Sequence, residues 1–138
     1  MNQTEKTLYT AKVHTTGGRE GASRSTDGRL DVKLSTPGVP GVGTNPEQLF
    51  AAGWSACFEG AMGIAANGMQ IALPAGLAID AEVDLVLDQG EFSLRARLVV
   101  SLPGIDPETA RAIVDAAHRT CPYSKATRGN IDVAISLV

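Results

Sequence analysis

Two stretches near the N-terminus alternate hydrophobic and polar residues, which is the pattern of half-buried strands. Residues 9–13 alternate in this way, and a second alternation follows the turn signal Asp27-Gly28. The first pattern predicts a strand, and the second predicts a hairpin over residues 23–34. Between them lies the glycine-rich sequence TTGGREG, which contains Arg19.

The longest alternation occupies residues 77–100 and is interrupted once, at Asp88-Gln89-Gly90. This pattern predicts two long strands joined by a tight turn, with one apolar face and one wet face. A last alternation over residues 131–137 predicts a further strand near the C-terminus.

A helix is predicted from Pro46 to about Asn67. Asn45 is a favourable cap, proline suits the first helical position, and Gly68 supplies a left-handed stop. The helix is apolar on nearly every side, which is typical of a fully buried helix. One chain of 138 residues with so few helices has difficulty burying it. We therefore expect a dimer with this helix at or near the shared core.

A second helix is predicted to begin after Asp106, with Pro107 at its first position, and to end at Cys121-Pro122. A short turn closing at Gly129 then leads to the last strand. The predicted order is β-β-β-α-β-β-α-β, with hairpins rather than crossovers, which indicates an α+β fold. The length predicts a single domain over residues 1–138.

Composition and charge exclude several classes of protein. Hydrophobic residues make up 43% and charged residues 20%, as in a globular protein. The net charge of −3 and the aromatic content of 4% argue against a nucleic-acid partner. The N-terminus has no signal-peptide pattern, and the uncharged run over residues 60–79 is interrupted by polar residues, proline and glycines. We expect a cytoplasmic protein with no membrane partner.

The two cysteines are the best candidates for chemistry. Cys57 lies in the middle of the first predicted helix, and Cys121 opens the sequence CPYSKATRGN. Both thiols would also suit small buried hydrophobic positions, which is the commonest role of free cysteine. As a functional pair, one thiol would attack a substrate and the other would resolve its oxidised form. His14 and His118 show no paired-ligand spacing with the thiols, so we expect no metal.

A thiol nucleophile at Cys57 needs a nearby cation, because it lies too far along its helix for the helix dipole to lower its pKa much. Several cations are candidates, and Arg19 is distinguished among them because flanking glycines allow close approach to a pocket. Glu47 is a suitable carboxylate anchor for this arginine, although an acid in the first turn of a helix is also favourable by itself. The other candidates are Lys12, Arg24, Lys125 and Arg128.

Four motifs resemble one known family. GGREG, DGRLDVKLSTPG, NPEQLFAAGWSACFEGA and CPYSKATRGNIDV together look like the organic hydroperoxide resistance proteins (Ohr) of the OsmC/Ohr superfamily. The resemblance covers essentially the whole chain. Trp54 stands where the family usually has Tyr or His, and threonine rather than valine precedes CPYS.

The resemblance implies an intertwined homodimer, with antiparallel sheets packed around a central buried helix. It also implies a thiol-dependent peroxidase that reduces alkyl, aryl or lipid hydroperoxides to alcohols. Carried over by motif, Cys57 is the peroxidatic cysteine, Cys121 the resolving cysteine, and Arg19 and Glu47 the activating pair. No cofactor is implied beyond the redox-active cysteines. The external reductant that the resemblance implies is a dihydrolipoyl-type dithiol on a lipoylated protein, or another dithiol.

Apolar side chains near Cys57 are candidate substrate contacts suited to lipid-like or aryl alkyl hydroperoxides. These residues are Phe50, Trp54, Phe58 and Met62.

Helical spacing bears on where the site lies. Ten residues of straight helix separate Glu47 from Cys57, roughly 15 Å of rise. One arginine cannot easily reach both, unless Arg19 and Glu47 come from another subunit or the helix start is displaced. We therefore expect the site at the dimer interface.

Two alternatives remain open at this stage. The OsmC branch of the superfamily would use the same chemistry with a different peroxide preference. A non-catalytic thiol redox sensor or ligand-binding dimer would only report oxidation.

Overall fold

A computed structural model describes residues 4–138 of the chain and divides them into two compact units, with the boundary between Pro46 and Glu47. Each unit contains its own three-stranded sheet. The single domain over residues 1–138 stays a prediction.

The first unit is built on the antiparallel sheet β1-β2-β3, formed by Val13–Thr16, Ala22–Ser25 and Asp31–Lys33. A short 3-10 helix, Gly18–Glu20, connects β1 to β2. The predicted hairpin is confirmed, and its turn occupies residues 26–29, where the Asp27 carboxylate accepts a hydrogen bond from the Arg29 amide.

The first strand is shorter than the alternation from residue 9 predicts. β1 begins only at Val13, which pairs with Ser25, the last residue of β2. Residues before Val13 would have to pair with the turn that follows Ser25. Alternation alone does not make a strand where the neighbouring strand has ended.

The second unit begins with helix α1, Pro46–Gly68, whose limits agree with the prediction. The chain buries only one face of this helix, formed by Trp54, Phe58, Ala61, Met62 and Ala66. Ile64 on another face is 76% exposed, so the chain alone does not bury the helix on all sides, as expected for so apolar a helix in a chain of this size. By length and composition α1 could also cross a membrane, a test that core helices of soluble proteins pass as well.

The second sheet has the order β4-β5-β6. β4 (Ala78–Asp88) and β5 (Glu91–Ser101) form the predicted long hairpin. Gln89 and Gly90 both have positive φ, 51° and 82°, as a two-residue turn of this hand requires. β6 (Asp132–Leu137) is the predicted last strand, but it pairs with β5 in parallel.

The parallel pair corrects the expectation of hairpins without crossovers and of purely antiparallel sheets. A parallel neighbour requires a connection that crosses back along the sheet, and two helices supply it. These are α2 (Pro107–Thr120), which has the predicted Asp106 cap, and α3 (Pro122–Thr127). The α+β class itself is confirmed.

Helix α3 replaces the short turn predicted before Gly129. Pro122 occupies its first position. The backbone N–H that proline lacks would have no partner within the helix at this position, and the fixed φ of proline is already helical. The same proline that ends α2 therefore begins the next helix.

The core of the second unit lies where α1 and α2 pack on the apolar face of the sheet. Its most buried members come from α1, β5 and α2 and include Cys121. They are Trp54, Phe58, Ala61, Met62, Ala66, Ala96, Leu98, Val100, Leu102, Ala110, Ile113, Val114, Ala117 and Cys121.

Candidate functional site

Two thiols far apart in sequence meet in the second unit. Cys57 lies in the middle of α1, and Cys121 lies between α2 and α3. The Cys121 thiol donates a hydrogen bond to the Cys57 sulfur, with the two Sγ atoms 3.6 Å apart. Both cysteines are in the free thiol form. Their side chains are therefore placed to react with each other once one is oxidised.

The backbone of Cys121 is held on both sides. Its amide donates to the Ala117 carbonyl at 2.8 Å, and its own carbonyl accepts from the Lys125 amide at 2.9 Å. Its extended conformation (φ −62°, ψ 124°) is the one that a following proline favours. Because one residue caps both α2 and α3, the position of the sulfur is fixed by two helices.

The two thiols differ in access to solvent. Cys57 is half-buried, whereas the Cys121 side chain has no exposed surface. A hydroperoxide can approach Cys57 more readily than Cys121. The exposure suits Cys57 to attack a substrate and Cys121 to react second.

Burial raises the pKa of the Cys57 thiol above its usual value, and the contact with the Cys121 thiol raises this pKa further. A hydrogen bond from the Tyr123 backbone acts in the opposite direction and lowers it. Since the thiolate is the reactive form, rapid reaction at neutral pH needs an added positive charge near Cys57.

A buried hydrogen bond joins α1 to α3 beside the thiols. The Trp54 indole N–H donates to the Ser124 hydroxyl at 3.3 Å, and neither side chain has any exposed surface. Trp54 precedes Cys57 by three residues, and Ser124 follows Cys121 by three residues. Each partner is thus about one helical turn from a cysteine.

Aromatic rings extend this contact. Phe50 packs edge-to-face on Trp54 and on Tyr123, with ring centroids 5.7 and 5.9 Å away. Gly53 leaves room for the Tyr123 ring, because a Cβ at this position would lie 2.7 Å from the tyrosine hydroxyl. The tyrosine therefore rests directly on the α1 backbone, one turn before Cys57.

An apolar cavity of about 430 Å³ lies beside this cluster. Tyr123 connects it to the thiols, since Tyr123 lines the cavity and its backbone hydrogen bonds to Cys57. The size is that of a pocket for a small organic molecule. The lining residues are Phe50, Leu94, Pro122, Tyr123, Ala126, Thr127, Asn130 and Ile131.

The predicted substrate contacts divide into two groups. Phe50 lines the cavity. Trp54, Phe58 and Met62 have no exposed surface and belong to the core, which leaves them no surface for substrate in this structure. They pack behind the site, and we revise their expected role accordingly.

The predicted activating pair is divided between the two units. Arg19 lies in the Gly18–Glu20 turn of the first unit, and Glu47 lies in the first turn of α1 in the second. Helix α1 is continuous from Pro46 to Gly68, so Glu47 and Cys57 lie on one helix. The roles of both residues stay predictions.

Over residues 4–138, no group of three or more His, Cys, Asp and Glu side chains is arranged to hold a metal ion.

Tyr123 and Ser124, which contact Cys57 and Trp54 respectively, are not among the site residues predicted from the sequence. The available signal was Pro122, which favours the first position of a helix as well as the end of the previous one. A helix starting there would have placed Ser124 one turn beyond Cys121, although it would not have shown the contact of Ser124 with α1.

Comparisons with known proteins give the family. Residues 38–136 match the family model for OsmC-like proteins. The chain is 50% identical to an organic hydroperoxide resistance protein of Xanthomonas axonopodis pv. citri, covering 99% of both chains. It is 46% identical to the organic hydroperoxide resistance protein OhrB of Bacillus subtilis, over 94% of this chain and 98% of that protein. The crystal structure of OhrB from Bacillus subtilis superposes with a TM-score of 0.91 and 45% identity, over 96% of this chain and 100% of that one. The chain belongs to the OsmC family, in the group of the organic hydroperoxide resistance proteins.

Proposed function

We propose that the protein is a cysteine-based reductase of organic hydroperoxides, with Cys57 as the peroxidatic and Cys121 as the resolving cysteine. The contact of 3.6 Å between the two Sγ atoms carries this proposal. The names of the relatives at 46–50% identity support the substrate class. They also favour the organic hydroperoxide resistance group over the OsmC branch.

The reaction follows from sulfur chemistry. The Cys57 thiolate attacks the outer oxygen of the hydroperoxide, the O–O bond breaks, and the departing alkoxide takes a proton to become the alcohol. Cys57 is left as a sulfenic acid. The Cys121 sulfur then attacks the Cys57 sulfur, forming the disulfide and releasing water.

An external dithiol restores the two thiols by exchange and is itself oxidised to a disulfide. We assign this role to a dihydrolipoyl group on a lipoylated protein, as the family resemblance implies. The cycle consumes reducing equivalents, which suits a protein of the cytoplasm, where thiols are kept reduced.

Activation of Cys57 requires a charge that offsets the effect of its burial. We assign this charge to Arg19, which would lower the pKa of Cys57 and donate hydrogen bonds to the peroxide oxygens. Glu47 would hold the guanidinium in place. Since Glu47 and Cys57 lie ten residues apart on a continuous helix, we propose that a second subunit contributes to the complete site.

The dimer is also supported by the unburied faces of α1. Ala52, Ala56, Gly60 and Ile64 recur every four residues on this helix and are exposed in the single chain. A second copy packed there would remove this apolar surface from water. Sedimentation at micromolar concentration should give twice the chain mass, and a stable monomer with full activity would contradict the shared site.

The apolar cavity favours bulky organic hydroperoxides over hydrogen peroxide. Phe50 and the other lining residues offer hydrophobic surface to an alkyl or aryl group, and hydrogen peroxide has no such group to bury.

Steady turnover tests the proposal. Reduced protein is mixed with cumene hydroperoxide and dihydrolipoamide, with glutathione as the alternative reductant and hydrogen peroxide as the alternative substrate. We expect sustained turnover with the dithiol and a higher kcat/KM for cumene hydroperoxide. A redox sensor would consume one equivalent and stop, which would refute the proposal. A preference for hydrogen peroxide would instead favour the OsmC branch.

A further inference from the structure

The Trp54–Ser124 hydrogen bond and the Cys57–Cys121 contact are two neighbouring connections between the same two segments. In each case one partner belongs to α1 and the other to the segment that begins at Cys121. The order of the two contacts is reversed between the two segments, since Trp54 precedes Cys57 whereas Ser124 follows Cys121. The two segments therefore run in opposite directions where they meet, and the two contacts are about one turn apart.

Ser124 and Cys121 lie within the same hydrogen-bonded stretch of backbone. The Cys121 carbonyl accepts the Lys125 amide, and the Ser124 carbonyl accepts the Arg128 amide, so the segment between them is one hydrogen-bonded turn. A shift of Ser124 away from α1 would carry the Cys121 sulfur away from Cys57.

The bond is sheltered from water. Both side chains are fully buried, so a broken Trp54–Ser124 bond would leave an indole N–H and a hydroxyl without a water partner. A displacement of Ser124 that breaks the bond while both groups stay buried is opposed by this penalty.

We propose that Trp54 and Ser124 are positioning residues for disulfide formation, which hold Cys121 within reach of Cys57 after Cys57 has been oxidised. This inference rests on the proposed function. It assigns to Trp54 a role that does not involve substrate contact.

The sulfenic acid at Cys57 has two fates. Attack by Cys121 gives the disulfide and water. Attack by the sulfenate on a second hydroperoxide gives sulfinic acid and another alcohol, and this product is not restored by a dithiol. Resolution is intramolecular and depends on the position of Cys121, whereas overoxidation depends on the peroxide concentration. The ratio of the two products therefore reports how well Cys121 is placed.

The Ser124→Ala variant removes the acceptor, and Trp54→Phe removes the donor. Loss of one neutral hydrogen bond of about 1 kcal/mol corresponds to roughly fivefold in the ratio of molecules with Cys121 in place to molecules with Cys121 displaced. We expect the hydroperoxide concentration that overoxidises half of Cys57 to fall in each variant, by at most about fivefold. The first reaction of Cys57 with hydroperoxide should change by less than about twofold, because neither residue touches the peroxide.

The experiment mixes reduced protein with increasing cumene hydroperoxide, stops the reaction by acid and alkylation, and measures disulfide and sulfinic acid by mass spectrometry. The rate of the first step comes from alcohol formation in a single turnover. Thermal unfolding of the reduced proteins records any general loss of stability. Ser55→Ala is the matched control, because Ser55 lies next to Trp54 on α1 and its hydroxyl donates hydrogen bonds within the helix, to the Ala51 and Ala52 carbonyls.

The double variant Trp54→Phe, Ser124→Ala distinguishes positioning from a general loosening of the core. If both residues act through their shared hydrogen bond, the double variant should give the same ratio of disulfide to sulfinic acid as the single variants. Additive effects of the two substitutions on the product ratio would overturn the inference. So would a wild-type ratio in Ser124→Ala or in Trp54→Phe, or an equal change in the Ser55→Ala control.

The proposed function fails separately from this inference. A wild-type protein that forms no Cys57–Cys121 disulfide with cumene hydroperoxide would overturn both. If the wild-type protein forms the disulfide and the variants give the same ratio of disulfide to sulfinic acid as the wild type, the positioning role alone is overturned.

Discussion

The two compact units differ in how many of their side chains are buried. From Glu47 onward, fourteen hydrophobic residues form one buried cluster. Among the described residues up to Pro46, only Ser23 and Leu34 are buried. A three-stranded sheet with so little buried apolar surface is marginally stable by itself. The second unit therefore has the packing that can hold side chains in fixed positions, and the first does not.

The chemistry follows the same division. Both thiols and the apolar cavity belong to the second unit, where the core fixes them. Arg19, the proposed source of positive charge, belongs to the first unit. We therefore expect substitutions in the second unit to change chemistry or stability according to burial. Substitutions in the first unit should act mainly on the chemistry.

The largest effect is expected at Cys57. Cys57→Ser should reduce peroxidase activity to the uncatalysed background, because a serine hydroxyl is a poor nucleophile at neutral pH without a base to activate it. The substitution is nearly isosteric, so the protein should keep its thermal stability. Peroxide consumption with dihydrolipoamide measures the activity. More than trace activity would remove Cys57 from its role.

Cys121→Ser is the matched substitution on the other thiol. It should also stop turnover with the dithiol, but the first equivalent of hydroperoxide should still react. Cys57 should then proceed to sulfinic acid, because no resolving thiol remains. Mass spectrometry of the treated protein checks this, and an unmodified Cys57 would contradict the assignment of the two cysteines.

The next effect is expected in the first unit, at Arg19. If this arginine activates the thiol, Arg19→Ala should raise the pKa of Cys57 by roughly one to three units and slow the peroxide step far more than disulfide reduction. Arg19→Lys should recover only part of the rate, because lysine keeps the charge but lacks the planar guanidinium group with its several N–H donors. The measurement is thiolate absorbance or alkylation rate against pH.

Arg29 provides the control for Arg19. It lies in the same unit, and its side chain is 91% exposed. Its Nε atom lies 3.9 Å from the Asp27 carboxylate. Arg29→Ala should leave the titration of Cys57 unchanged. Superimposable curves for wild type and Arg19→Ala would instead shift the activating role to Lys125 or Arg128, beside the resolving cysteine.

Sequence patterns predicted the well-packed unit better than the other. The limits of α1, the long hairpin and the extent of α2 were all predictable, because capping residues and repeating apolar positions mark them in the sequence. Near the N-terminus the alternation from residue 9 predicted a strand that begins only at Val13. There, the end of the partner strand decides the boundary, and no local pattern records it.

The parallel pairing of β6 with β5 and the Trp54–Ser124 bond were not predictable from local patterns. Both depend on contacts between residues far apart in the chain. The two thiols were predictable as candidates, since cysteine is rare here and chemically distinctive. Their distance was not, because it depends on how α2 and α3 pack against α1.

Matched truncations should show the difference in packing directly. Val100 on β5 is completely buried, whereas Val13 on β1 is 49% exposed. Val100→Ala should lower the free energy of unfolding by about 2–3 kcal/mol, from lost burial and the cavity left behind. Val13→Ala should change it by less than about 0.5 kcal/mol. Urea unfolding measures both, and equal losses would show that the first unit is packed as tightly as the second.

The smallest effect compares ion pairs on the two sheets. On the second sheet the Asp84 carboxylate accepts hydrogen bonds from Arg95 and Arg97 at 2.8–2.9 Å. On the first sheet the Arg24–Asp31 pair is 3.9 Å apart and largely exposed. The two hydrogen bonds from Arg97, and then the one from Arg95, hold the pKa of Asp84 well below its usual range.

Because the pKa of Asp84 is lower in the folded than in the unfolded protein, its ion pairs add stability that is fully present above the unfolded value of about 3.9. This stability is lost as the pH falls through the folded value. Asp84→Asn should therefore lower Tm slightly at neutral pH, and the difference from wild type should shrink as the solution becomes more acidic than about pH 4. Added salt should also reduce the difference, since the pairs face solvent.

Asp31→Asn is the control and should leave Tm unchanged at every pH, because a long, exposed pair contributes little. Thermal unfolding followed by circular dichroism across this pH range decides between them. A difference for Asp84→Asn that persists unchanged in acid would mean that the asparagine disturbs the hairpin by some route other than charge.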